Sequence, residues 1–249
     1  VNIDGLMLGG AKRTPKVQFQ TLAELAATPP ASWLVRDLIP STGLCVLAGD
    51  PGAGKTFLAL DLALRVSCGL SEWMGRNIGD HGRVLYVALE GAGGLPSRVR
   101  AWCTAHGLDA AKHSGRIDTV RVWSESQPVM SAHGVSLLLE HIEAQAGSYR
   151  LIVIDTLTLA AGCDENDAGE MGKVLAQGHR LAAETGGCVL LLHHMRKPAN
   201  GYRPSEHSMH DLRGSSATLG ASDQVLAIRD AKRKGEPRRL SVLKSKDGP

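Results

Sequence analysis

The octet Gly49-Asp50-Pro51-Gly52-Ala53-Gly54-Lys55-Thr56 joins an apolar run that reads as a buried strand, Leu44 to Ala48, to one that reads as a helix, Phe57 to Cys68. The helical run is apolar nearly all round, which predicts that it is buried. A glycine-rich turn between those two elements lets backbone N–H groups converge on phosphates. Lys55 adds a point charge near the β and γ phosphates, and the Thr56 hydroxyl can ligate Mg²⁺. The nucleotide-binding set is therefore Gly49, Asp50, Pro51, Gly52, Ala53, Gly54, Lys55 and Thr56, with Phe57 next on the helix. A nucleoside triphosphate with Mg²⁺ is the expected ligand pair.

From Gly43 onward the chain alternates strand-like and helical runs. The strands are expected at Leu44 to Ala48, Val84 to Leu89, Ile117 to Trp123, Leu151 to Ile154, Val189 to His193, Val225 to Ile228 and Leu240 to Leu243. The helices are expected at Phe57 to Cys68, Ser97 to His106, Val135 to Gln145 and Gly169 to Thr185. Asp167 and Glu170 have capping-box spacing before the last of these, and Gly186-Gly187 stops it. Such alternation predicts an α/β fold, a mostly parallel sheet with helices on both faces. The final two runs, joined by Lys234-Gly235-Glu236-Pro237, predict an appended antiparallel hairpin.

A chain of 249 residues with 43% hydrophobic content can fill one large α/β domain. Residues 1 to 20 lack an apolar period and carry Lys12, Arg13 and Lys16, so a flexible arm is expected there, with the core spanning 21 to 249. A short helix is expected at Thr21 to Ala27. The start at Val1 and the end at Gly248-Pro249 suggest an excised piece of a longer polypeptide, truncated at the C-terminus. Five cysteines are scattered without C-x-x-C spacing, and no stretch approaches a membrane span. Both features predict a cytoplasmic protein that does not engage a membrane.

Ligands of open α/β sheets bind at the carboxyl ends of the strands, so the residue leaving each strand carries the functional expectation. Leu151-Ile152-Val153-Ile154 leads into Asp155, the Walker B pattern, whose carboxylate can hold Mg²⁺. The strand from Val84 leads into Glu90, placed to deprotonate a water, although a cap or surface ion pair would use the same residue. The strand before His193-His194 brings an imidazole to face a γ-phosphate, unless both histidines are hydrogen-bonded core residues. Met195 to Arg213 is long for a connection and carries Arg196, Lys197, Arg203 and Arg213, which suits contact with a phosphate backbone. His207 and His210 with Asp211 lack a fourth zinc ligand of suitable spacing.

The net charge is only +3, so nucleic-acid contact would come from local clusters, as in Arg229 to Lys246. Aromatics are 4% of the chain, which leaves base stacking a minor role and backbone contact the main one.

In order, these motifs resemble the RecA-like hexameric replicative helicases, specifically the plasmid-encoded RepA type and its phage relatives. The resemblance runs from about Thr21 to the end. It rests on Gly49 to Thr56, Glu90 after its strand, Val153-Ile154-Asp155-Thr156-Leu157 followed by Asp164-Glu165-Asn166, Leu192-His193-His194, and Leu212-Arg213-Gly214-Ser215-Ser216. It implies that Lys55 and Thr56 bind ATP and Mg²⁺, Asp155 is the Walker B acid, Glu90 is the catalytic base and His194 senses the γ-phosphate. It further implies that Arg213 completes the neighbouring subunit's site and that Lys246 is a second cation acting in trans. The implied assembly is a homo-oligomer, a hexameric ring on single-stranded DNA. The acidic stretch Asp164-Glu165-Asn166-Asp167 would repel DNA if it lined the channel. Two other functions share these motifs: a RecA- or RadA-like recombination or repair ATPase, and a nucleotide-gated assembly module with a protein partner.

Overall fold

The computed structural model describes residues 19–27, 32–109, 117–120, 127–144, 148–196, 208, 211–214, 216–229 and 237–246. The chain divides into two compact units, Val1–Pro30 and Ala31–Pro249. In the first, α1 (Leu22–Ala26) opens on a reciprocal cap. The Glu24 amide donates to the Thr21 hydroxyl at 3.2 Å and the Thr21 amide to the Glu24 carboxylate at 2.7 Å. Lys12, Arg13 and Lys16 of the expected arm lie outside the described residues.

The second unit begins with an antiparallel pair, β1 (Trp33–Val35) and β2 (Ile39–Pro40). Next come β3 (Gly43–Gly49), α2 (Lys55–Cys68), the short hairpin β4 (Glu72–Trp73) with β5 (Arg76–Asn77), β6 (Arg83–Ala88), α3 (Leu95–Ala105) and β7 (Ile117–Val120). They are followed by α4 (Ala132–Ala144), β8 (Tyr149–Asp155), α5 (Leu157–Ala161), α6 (Ala168–Thr185) and β9 (Cys188–His194). The last elements are α7 (Ser216–Ala221), β10 (Gln224–Arg229) and β11 (Arg239–Ser245). The main sheet has seven strands in the order β11-β10-β3-β9-β8-β6-β7. Within it, only the β10–β11 pairing is antiparallel, as the appended hairpin requires. The turn residues Lys234, Gly235 and Glu236, and Arg121 to Trp123 at the end of the expected third strand, lie outside the described residues.

Central strands read as unbroken apolar runs because both of their faces are covered. Cys45, Leu47, Tyr86, Val153 and Leu190 pack with Leu60 and Leu64 of α2 on one face. Leu44, Val46, Ile152, Val189 and Leu191 pack with Leu139 of α4 and Leu175 of α6 on the other. The helix α2 is buried as expected except along one stripe. Phe57, Asp61 and Arg65 recur at the four-residue spacing that shares a helix face, and Phe57 is 59% exposed. Asp61 on that stripe accepts from Arg65 Nε at 2.9 Å and from the Trp102 indole of α3 at 2.6 Å.

At α6, Asp167 caps the amides of Gly169 and Glu170 at 2.8 and 3.0 Å. The Glu170 carboxylate pairs with Lys173 at 2.7 Å. The cysteines are free thiols, with Cys45, Cys103 and Cys188 buried. Among the described residues, no helix is long and apolar enough to cross a membrane.

Candidate nucleotide site

Strand register brings the expected groups to one edge. Gly49 of β3 pairs with His194 of β9, and Ala88 of β6 pairs with Asp155 of β8. Because β3, β9, β8 and β6 are consecutive in the sheet, the glycine loop, His194, Asp155 and Glu90 leave it side by side. The loop glycines are needed for two separate reasons. Gly54 caps α2 at φ 96°, a left-handed conformation, and a Cβ there would sit 2.9 Å from Arg238 Nη1. A Cβ on Gly49 would meet the Ile228 carbonyl oxygen of β10 at 2.7 Å.

Lys55 is 7% exposed, and its ammonium donates to the carbonyls of Gly49 and Asp50 at 3.0 and 3.1 Å. Burial pulls its pKa down, while the charges of Asp155, Glu90 and Asp50 oppose that shift. The Lys55 nitrogen also lies 3.3 Å from His194 Nδ1. An ammonium can only donate, so Nδ1 accepts and the imidazole proton is left on Nε2. Burial and the Lys55 charge both lower the His194 pKa, which keeps the ring neutral and ready to donate from Nε2.

Asp155 is 1% exposed and accepts hydrogen bonds from the Tyr86 hydroxyl, at 3.0 Å, and from Thr56. Burial raises its pKa; the Thr56 and Tyr86 bonds counter this, the Glu90 charge adds to it, and Lys55 opposes it. A buried carboxylate whose charged form is disfavoured, beside the hydroxyl that follows the lysine, suits a divalent cation. Thr56 and Asp155 are the residues that would hold Mg²⁺. Glu90 is exposed, yet its backbone is fixed. The amides of Leu89 and Glu90 donate to the Asp155 carbonyl at 2.8 and 3.2 Å, so the acid stands beside the Walker B strand.

His193 points the other way from His194. It is fully buried, and its Nε2–H donates to the Arg213 carbonyl at 2.8 Å. The Arg213 amide in turn donates to the His194 carbonyl at 3.2 Å, and Met195 bridges Leu212. Arg213 thus sits beside the end of β9, where Pro51, His194, Met195, Arg196 and Arg213 line a cavity of about 530 Å³. Its side chain is 52% exposed and pairs through Nε with Glu165.

Lys246 is not brought to this chain's own glycine loop. Lys246 donates to Asp223 at 2.7 Å, and Asp223 accepts from the Leu44 amide at 2.8 Å, at the opposite end of β3 from Gly49. The far end of β11 supplies a cation instead, with Arg238 against Gly54 and Arg239 opposite Arg229. Sequence reasoning counted these arginines only as part of a basic hairpin, because strand direction decides which end meets the loop. It also passed over Tyr86, an ordinary core residue by pattern. Lys197, Arg203, His207, His210 and Ser215 lie outside the described residues.

A lysine-bearing glycine loop at the end of β3, the strand between β10 and β9, with Asp155, Glu90 and His194 leaving neighbouring strands at the same edge, defines a P-loop ATPase. Residues 11–200, more than half of the chain, match the profile of a family described as an AAA domain, and the chain belongs to that family. Among solved structures, it is similar to the ATPase domain of G40P, with a TM-score of 0.61 at 17% identity, over 84% of this chain and 79% of that one. At that identity the likeness speaks for the fold, which is RecA-like.

Proposed function

We propose that the protein is an ATP-dependent DNA helicase motor of the RecA-like ring type, resembling the plasmid RepA kind in motif order, that hydrolyses ATP between subunits and moves along single-stranded DNA. The observation that carries the reading is the state of Arg213. Glu165 pairs with it through Nε, and the side chain is half exposed. A forked cation held at the mouth of a site is suited to phosphate oxygens arriving from outside the chain.

Within one subunit, the loop amides and Lys55 bind the phosphates, and Mg²⁺ held by Thr56 and Asp155 supplies charge neutralisation when bound. Glu90 orients and deprotonates the attacking water, and His194 donates from Nε2 to the γ-phosphate. Arg213 of the adjacent subunit meets the charge that develops on transfer. Contact with DNA falls to the segment from Met195 to Arg213 and to the basic hairpin.

The test combines oligomeric mass, ATPase rate with and without single-stranded DNA, and duplex unwinding. Expected are a homo-oligomer of six with a non-hydrolysable ATP analogue, stimulation by DNA, and strand separation. Glu90→Gln should keep ATP binding and abolish turnover. An assembled protein whose hydrolysis ignores DNA would refute the helicase reading and favour the protein-partner module. Filaments in place of rings would favour a recombination ATPase.

A further inference from the structure

We infer that Glu165 is the positioning residue for Arg213, holding its side chain in place before a neighbour docks; this rests on the proposed trans role of Arg213. Both carboxylate oxygens of Glu165 are committed. Oε1 takes Arg213 Nε, and Oε2 accepts from the Thr158 hydroxyl at 3.0 Å. Thr158 rides on α5, which begins two residues after Asp155, so the carboxylate is anchored to the strand that carries the Walker B acid. The Glu165 side chain is 8% exposed, which removes the solvent competition that weakens a surface ion pair.

The Arg213 main chain is fixed on the other side by His193 and His194. Gly214, at φ 85°, then lets the chain pass the Glu165 carbonyl so closely that a Cβ would lie 2.6 Å from it. Backbone, ion pair and the neighbouring turn hold the residue in place, and half of the side chain stays exposed to meet a ligand. An unrestrained arginine loses rotamer freedom on binding, whereas one already held by its Nε loses less. The acidic stretch that would repel DNA from a channel thus has a buried member whose partner is an arginine of the same chain.

The test is a subunit-mixing ATPase assay on the assembled full chain. Glu165→Ala should lower kcat roughly three- to tenfold, the scale of ordering one side chain, with KM for ATP within about twofold. Mixing Glu165→Ala subunits with Glu90→Gln subunits should restore hydrolysis, because the latter contribute a correctly held arginine to the former's intact site. Arg213→Ala mixed with Glu90→Gln is the control for the trans role. The double variant Glu165→Ala/Arg213→Ala should be no slower than Arg213→Ala alone.

Glu165→Gln removes the charge but keeps the side chain's size and an oxygen for the Thr158 hydroxyl, and should retain an intermediate rate. If Glu165→Ala does not assemble, the same mixing is read with Glu165→Gln. Rescue of Arg213→Ala without rescue of the Glu165 variants would overturn this inference and leave the motor reading standing. Failure to rescue Arg213→Ala would overturn both. A wild-type rate for Glu165→Ala would overturn this one.

Discussion

Replacing Tyr86 with phenylalanine removes a single oxygen from the floor of the site. The Tyr86 ring is fully buried on β6, and its hydroxyl donates to Asp155 Oδ2 at 3.0 Å. Burial and the neighbouring Asp155 charge push the phenol pKa well above its ordinary value, so it stays a neutral donor at every working pH. With Asp155 only 1% exposed, no water is at hand to replace the lost bond. A hydrogen bond to a charged group is worth about 1.5–3 kcal/mol, and the enclosure argues for about 2 kcal/mol.

For a domain of this size that loss lowers Tm by about 4–8 °C. The bond counters the rise of the Asp155 pKa, so its removal raises that pKa further. Mg²⁺-dependent nucleotide affinity should then decline sooner as pH falls than in the wild type, because protons compete for the carboxylate. The assays are thermal and urea melts at neutral pH, and fluorescent-nucleotide titrations with Mg²⁺ between about pH 5 and 8. A variant within about 0.5 kcal/mol of wild type with an unchanged pH profile would refute the view that Tyr86 holds the Walker B acid.

Three further outcomes are expected. Burial lowers the His193 pKa, so between that value and the unfolded-state pKa near 6.5 the unfolded chain binds the extra proton; stability is complete above about pH 6.5 and is lost below it. Urea melts should show the wild type losing up to about 1.4 kcal/mol more than His193→Gln between about pH 7.5 and 5.5, and equal slopes would contradict the buried neutral ring. Arg213→Ala leaves the Glu165 carboxylate buried without its cation; because the arginine is half exposed, the cost is discounted to about 1–2 kcal/mol, and adding Glu165→Gln should recover most of it in a melt. Gly214→Ala forces a positive φ on alanine and a contact with the Glu165 carbonyl, so it should cost at least about 1 kcal/mol and lower turnover; an unaffected ATPase would mean that the Arg213 turn is free to move.

Fold class, strand sequence and the phosphate end of the site were legible in the residues themselves. Apolar runs covered on both faces, a glycine loop between strand and helix, and acids or imidazoles at strand ends are local patterns, set by backbone conformation and burial period. Short elements such as β1, β2, β4, β5, α5 and α7 escaped because two to six residues display no period.

Chain order does not state neighbour order. Only the sheet order put β9 between β3 and β8, and so set His194 against Lys55 while turning His193 inward to the Arg213 carbonyl. The same holds for the hairpin. Lys246 and Arg238 are alternative cations on one segment by sequence, and the antiparallel direction of β11 carried Arg238 to the glycine loop and Lys246 to the opposite end. Side-chain identity is written along the chain, but the meeting of charges far apart in sequence depends on strand pairing and packing, which is why the Glu165–Arg213 and Tyr86–Asp155 pairs belong to the tertiary structure alone.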